Sequence, residues 1–301
     1  MDMSLMIKGV TKKYGSKVAV ENLSFEVNRG EMFGLLGRNG AGKTTTFRLM
    51  LGLLKANQGT ITWGNVTPVK LTSRTIGYLP EERGLYPKLN VMQQLIYLGR
   101  LKGMTKREVK DEVTKWLRQF EALQYENKRM EQLSKGNQQK IQFIASVMHK
   151  PELLILDEPF SGLDPININV LKKAVFDLRD QGTTIVFSSH RMDHVESLCE
   201  NLSILNNGQQ VAYGSLQQIK AAYRSRTIRI KADFSLDYLL TLNGVIDVQE
   251  EAHETRVVVQ TEAIVNAVFE ALHNKGNVQL FAVEEPTLHD IFIDKAGSAH
   301  A

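Results

Sequence analysis

The sequence predicts an α/β fold: a largely parallel sheet with helices packed around it, followed by a smaller α+β domain. Three observations carry this. Gly37-Arg38-Asn39-Gly40-Ala41-Gly42-Lys43-Thr44 is a complete phosphate-loop pattern between an apolar strand and a helix. Strands and helices alternate up to about residue 220, as a parallel sheet with crossover helices requires. Beyond Ile219 the order becomes β-α-β-β-α-β, the succession of a ferredoxin-like domain.

From Met6 to about Val27 apolar and polar residues alternate with short interruptions, which predicts antiparallel strands. A strand at Met32–Leu36 leads into the phosphate loop and a helix from Thr44 to about Leu54. Thr60–Trp63 and Ile76–Leu79 read as strands, the second followed by a loop punctuated by Pro80, Gly84 and Pro87. Val91 to about Phe120 reads as helical, with charged faces such as Lys106–Glu112 that solvate its surface. Gln138–Met148 is a further helix, Leu153–Leu156 an apolar strand, and Asn167–Arg179 a helix. Strand Thr184–Phe187 and a helix containing His194–Leu198 follow. In the last part the strands are Thr227–Ala232, Val245–Glu250, Thr255–Gln260 and Val278–Val283. The helices there are Ser235–Leu242, Ala263–His273 and a short one at Pro286–Phe292. The expected division is residues 1–220, with a helical subdomain at about 86–132, then 225–295, then a disordered tail at 296–301.

Composition sets the outer limits. With 301 residues, 43% hydrophobic and 23% charged, the chain can bury a core in each of two domains. No apolar run approaches the roughly 18 residues of a membrane span, and the N-terminus lacks the pattern of a secretion signal. A single cysteine, Cys199, excludes an internal disulfide, fits a reducing cytosol and reads as a small core residue. The net charge of +4 is too small to identify an anionic partner. Without a basic stripe or base-stacking aromatics, direct nucleic-acid binding is not expected.

The chemistry concentrates in two places. Gly37, Gly40 and Gly42 let the backbone wrap phosphate oxygens with its N–H groups pointing inward. Lys43 offers a point charge to the β- and γ-phosphates, and Thr44, followed by Thr45, a hydroxyl for Mg²⁺. The alternative, a bare glycine-rich turn, does not call for a strand before it and a helix after it. Asp157 and Glu158 end the apolar strand Leu153–Leu156. Such a pair suits a division of labour, Asp157 holding Mg²⁺ and Glu158 polarising the attacking water. Acidic turn formers are the other reading of the pair.

Ser134-Lys135-Gly136-Asn137, the Asp157-Glu158 pair, Ser161-Gly162-Leu163-Asp164 and His190 stand in an order similar to the nucleotide-binding subunits of ATP-binding cassette (ABC) transporters. The resemblance covers roughly residues 4–220 and implies a P-loop cassette with a mixed sheet core, an antiparallel β subdomain and a helical subdomain. It implies that ATP is sandwiched between two cassettes arranged head to tail, the second being another copy or a homologous chain. Ser134 and the backbone at Gly136 would meet the γ-phosphate held by Lys43 of the facing cassette. Asp164 would bridge the pair, His190 would contact the γ-phosphate and orient the water, and Tyr14 would stack on adenine. The family has glycine at Lys135, glutamine at Asn137 and glutamine at Glu81; a carboxylate at Glu81 becomes a metal ligand. These departures leave an active, slowed ATPase as the expectation.

With one cassette and no membrane span, transport would need a separately encoded, multi-span permease, placing the chain on the inner face of the cell membrane. Leu85, Tyr86, Leu89, Val91 and Leu95 would either receive a permease helix or pack the subdomain. The loop Gly77–Pro87 and the stretch Glu285–Phe292 resemble an exporter branch that includes sodium-extrusion and drug- or antibiotic-export ATPase subunits. The terminal domain would stabilise the dimer, regulate turnover or contact the permease. Two other readings are a soluble cassette acting on ribosomes or in DNA repair, which calls for tandem cassettes or a coiled coil, and a regulatory cassette with weak or no hydrolysis.

Overall fold

A computed structural model describes residues 4–297 except 69, 70, 72, 73, 83, 224 and 252. The chain divides into two units, one running to Gly214 and one beginning at Ser215. In the first, the strands are β1 (Leu5–Tyr14), β2 (Lys17–Val27), β3 (Met32–Leu36), β4 (Gln58–Trp63), β5 (Ile76–Leu79), β6 (Leu153–Leu156), β7 (Thr184–Ser189), β8 (Asn201–Asn206) and β9 (Gln209–Ser215). Its helices are α1 (Lys43–Met50), α2 (Val91–Leu101), α3 (Lys106–Gln119), α4 (Lys135–Val147), α5 (Pro165–Asp180) and α6 (Met192–Leu198).

These strands form one mixed sheet in the order β4-β1-β2-β9-β8-β3-β7-β6-β5. β1 pairs antiparallel with β2 and β4, whereas β3, β5, β6, β7 and β8 run parallel. Every residue of β3, β6 and β7 is buried, as in strands covered on both faces; β3 and β6 are apolar throughout apart from Gly34, and β7 ends on two buried serines. Because these three strands are neighbours and parallel, the phosphate loop, Asp157-Glu158 and His190 all leave the sheet at adjacent carboxyl ends.

Several boundaries differ from the sequence expectation. α1 stops at Met50, and Leu51–Leu54 form turns instead. The 91–120 stretch is two helices, because Gly103 (φ 79°) ends the first and Thr105 opens the second through a capping box with Glu108. α4 begins at Lys135, three residues ahead of the expected start, because Ser134 is its N-cap. Val91 and Leu95 are fully buried in the subdomain, so they are unavailable to a partner; Tyr86 and Leu89 remain exposed. Among the described residues no helix is long and apolar enough to cross a membrane.

The second unit holds α7 (Leu216–Ala222), β10 (Arg226–Ala232), β11 (Val245–Glu250), β12 (Thr255–Val259), α8 (Ala263–Ala271), β13 (Val278–Glu284) and α9 (Leu288–Gly297). Its strands form an antiparallel sheet ordered β11-β12-β10-β13, the split arrangement of the ferredoxin-like succession. The element expected as a helix at Ser235–Leu242 is a 3₁₀ turn, Asp237–Thr241. Its N-cap residue Leu236 and its own Leu239 are buried, spaced by the three residues that bring side chains into line in that geometry. The stretch Pro286–Phe292 now has a physical meaning. Thr287 and Asp290 cap α9 reciprocally, and Asp290 also binds Arg256 of β12 at 2.5 Å, tying the helix to the sheet. The expected tail overlaps α9 at 296–297, and 298–301 lie outside the described residues.

His149, just after α4, donates from Nε2 to the Ile76 carbonyl at the edge of β5, 3.1 Å away. Burial, aided by the nearby Lys102 ammonium, lowers its pKa from the ordinary 6.5 to about 4. The folded chain therefore keeps this ring neutral where the unfolded chain protonates it. Its contribution to stability is complete above pH 6.5 and declines as the pH falls toward 4. Between pH 7 and 5 the loss is expected to be about 2 kcal/mol. His149→Gln, which keeps an N–H donor but does not titrate, should flatten urea-midpoint profiles by that amount. His194, also lowered to about 4 by burial, is present in both proteins and cancels. Parallel profiles for the two proteins would remove this account.

Candidate functional site

The phosphate loop turns tightly between β3 and α1. Gly42 has φ 107°, and a Cβ there would sit 2.6 Å from the Ala19 carbonyl oxygen, so only glycine fits. Lys43, 6% exposed, points back into the loop, where Nζ donates to the carbonyls of Gly37 (2.7 Å) and Arg38 (3.3 Å). The same ammonium lies 3.7 Å from Glu158 Oε1.

One hydroxyl organises the acidic end of β6. Ser188, at the matching end of β7, donates to Asp157 Oδ1 (2.6 Å) and accepts the Glu158 backbone N–H (3.0 Å). Asp157 Oδ2 in turn accepts the Thr44 hydroxyl at 3.0 Å. Burial and then the Asp157 charge push the neighbouring Tyr78 phenol up to about 12. Glu158 is held at φ 48°, in the left-handed region that a residue with a long side chain seldom occupies. That strain, of order 1 kcal/mol or more, is sustained by the Ser188 contact and aims the carboxylate along the loop. Glu158 Oε2 lies 2.9 Å from His190 Nδ1, and Oε1 accepts no hydrogen bond from any described residue. Facing a carboxylate oxygen, Nδ1 is the donor nitrogen of the half-exposed ring, and among the described residues Nε2 has no partner.

A cleft of about 550 Å³ opens over the loop, lined by Tyr14, Arg38, Asn39, Gly40, Gly42, Lys43, Thr44, Thr45 and Glu81, together with Lys17 and Asn207. Tyr14 is 46% exposed there, with the Lys12 ammonium 5.2 Å from its ring centroid. Gly37 and Ala41, the remaining loop residues, are buried. Glu81 is exposed in the same cleft, and among the described residues its carboxylate has no hydrogen-bonding or ionic partner.

Ser134, Gly136 and Asp164 are not among the residues lining that cleft. They form a second group. Ser134 caps α4, Asp164 caps α5, and a Cβ on Gly136 would stand 3.2 Å from the Asn167 amide nitrogen. The N–H and side-chain amide of Asn167 hold the Asp164 carboxyl below the usual range. Lys135 takes the first helical position of α4 and is not among the residues with positive φ, so its Cβ brings no backbone conflict. Gln142 of α4 donates to the carbonyls of Pro80 and Glu82, and Gln139 to that of Pro159, joining this group to the loop after β5 and to the end of β6.

Sequence reasoning did not pick out Ser188 or Asn207. The first stood in plain view as a polar residue ending an apolar strand. The second belongs to Asn207-Gly208, whose φ values of 49° and 82° make a type I′ hairpin turn between β8 and β9.

This arrangement pairs an anion cradle with a buried carboxylate braced by an imidazole and a cation, a constellation able to hold a triphosphate and take a proton from water. Comparison with known proteins agrees in family. A family profile described as "ABC transporter" matches residues 20–161, and one described as "ATP-binding protein DrrA1-3-like, C-terminal domain" matches 214–296. The chain is 52% identical over 296 residues to the ABC transporter ATP-binding protein YhaQ of Bacillus subtilis, covering 98% of this chain and 99% of that one. It is 32% identical to the linearmycin resistance ATP-binding protein LnrL of the same organism, covering 97% and 98%. A solved ATP-binding subunit of an ABC transporter superposes with a TM-score of 0.68 at 31% identity, covering 73% of this chain and 92% of that one. The chain belongs to the ATP-binding subunits of ABC transporters, and it is an ATPase of that family.

Proposed function

We propose that this chain energises an exporter, working as a head-to-tail pair of cassettes on the inner face of the cell membrane, bound to a separately encoded multi-span permease. Residues 1–220 serve as the cassette and 225–295 as an accessory domain. The observation that carries the reading is the convergence on Glu158, whose carboxylate lies 2.9 Å from His190 and 3.7 Å from Lys43.

In this reading Tyr14 stacks on the adenine, the loop Gly37–Gly42 cradles the phosphates through its N–H groups, and Lys43 neutralises the β- and γ-oxygens. Thr44 and Asp157, already oxygen to oxygen at 3.0 Å, are hard donors of the kind Mg²⁺ takes, with Glu81 of the same cleft as a further ligand. When bound, Mg²⁺ would neutralise charge developing on the phosphate oxygens. Glu158 accepts the proton of the attacking water, and His190 fixes that carboxylate and orients the water. Ser134, Gly136 and Asp164 complete the site of the facing cassette. Their separation from the chain's own cleft supports that assignment.

Export is supported by the full-length similarity to a resistance ATPase. The helical start of α4 at Lys135 argues against a cassette that has lost turnover. Recovery of the tagged chain from detergent-solubilised membranes should bring down a polytopic protein that raises its ATP turnover. Recovery only from the soluble fraction, with turnover intact, would keep the ATPase and remove the transport role.

A further inference from the structure

Two kinds of side-chain N-cap recur in this chain. α3 and α7 have a hydroxyl cap and a Glu or Gln three residues on, and the two exchange bonds as a capping box. In α7 the Gln218 side chain accepts the Ser215 backbone N–H at 3.1 Å, and among the described residues the Ser215 hydroxyl accepts only the Gln218 N–H. The caps of α4 and α5, both in the candidate site, have asparagine at that third position, and its shorter amide turns onto the cap side chain instead. Ser134 Oγ accepts both the Asn137 backbone N–H (3.4 Å) and the Asn137 Nδ2 (3.1 Å).

A serine hydroxyl has two acceptor lone pairs and one proton to donate. With both lone pairs facing Asn137, the Ser134 proton is turned out from the helix end. Among the described residues nothing accepts it, and Ser134 is exposed. Asn167 acts likewise on Asp164 and abuts Gly136, so both caps are clamped by the same kind of amide.

We propose that Asn137 is a positioning residue that clamps the Ser134 hydroxyl as an outward donor, set in advance toward the γ-phosphate oxygens held by the facing cassette. This rests on the reading of Ser134 as a contributor to the facing site. It also gives the departure from glutamine a purpose. A glutamine here would have the capping box open to it, as Gln218 does, and would leave the hydroxyl free to rotate. The donor would then have to be ordered during closure, at a cost in association.

The test is a double-mutant cycle on the full chain in a Glu158→Gln background: Ser134→Ala, Asn137→Ala and both. ATP-driven association is followed by analytical ultracentrifugation, nucleotide affinity of the isolated chain by fluorescent ATP, and folding by thermal melting. Since each dimer carries the contact twice, Asn137→Ala should weaken ATP-driven association about tenfold. Nucleotide affinity of the single chain should stay unchanged. In the Ser134→Ala background the same substitution should change association less than about twofold, because its target is gone. An equal loss in both backgrounds, or no loss with Ser134 present, overturns the clamp while leaving the Ser134 reading intact. Association untouched by Ser134→Ala, or absent in the Glu158→Gln parent, removes that reading and the clamp with it.

Discussion

Glu158→Gln is expected to lower ATP turnover by at least about 100-fold and to leave an ATP-bound pair of chains that elutes at twice the monomer mass. The amide is nearly the same shape as the carboxylate, so the contacts that hold position 158 at φ 48° can persist. What disappears is the negative charge and with it the ability to take a proton from water. Binding and closure do not need that step, so the closed state should accumulate. Closure that moves a permease needs ATP to favour the closed pair strongly; shifting a 1:99 equilibrium to 99:1 takes about 5.5 kcal/mol of differential binding. Two triphosphates buried across one interface can supply it. Wild-type turnover in the variant would place the base elsewhere. A strictly monomeric variant at saturating Mg-ATP would count heavily against closure in pairs.

The contacts behind this prediction were only partly legible in the residues. β3, β5, β6 and β11 could be bounded from sequence because each is a short apolar or alternating run with turn residues at both ends. β8 and β9 were not found. β8 begins and ends with asparagine and buries Ser203, so its polar letters hide a central strand. The Asn207-Gly208 turn is the one usable signal of this hairpin in the sequence. Residue types at the site announced a phosphate cradle and a carboxylate pair. They could not announce that Ser188, from a different strand, holds both carboxylate residues together, since that contact is made only when β6 and β7 lie side by side. The start of α4 illustrates the same limit. Gly136 and Asn137 have low helix propensity, and the Ser134 cap overrides it.

Lys43→Ala should weaken ATP binding about 10- to 100-fold, the worth of a charge-assisted contact to phosphate. It should also reveal what Lys43 does for the fold. Its ammonium satisfies two loop carbonyls and faces a carboxylate that is 5% exposed. Removing it leaves Glu158 with only the His190 contact, a loss of about 3 kcal/mol by analogy with other broken buried pairs. The sign of a second change separates charge from packing. In the wild-type chain Glu158→Gln breaks a favourable pairing and should lower the urea midpoint. In the Lys43→Ala chain it removes an uncompensated buried charge and should raise it. A cycle in which Glu158→Gln lowers stability equally with and without Lys43 would mean that the 3.7 Å approach carries no coupling. The Glu158 carboxylate would then be held by His190 alone, and the loop lysine would act on the nucleotide only.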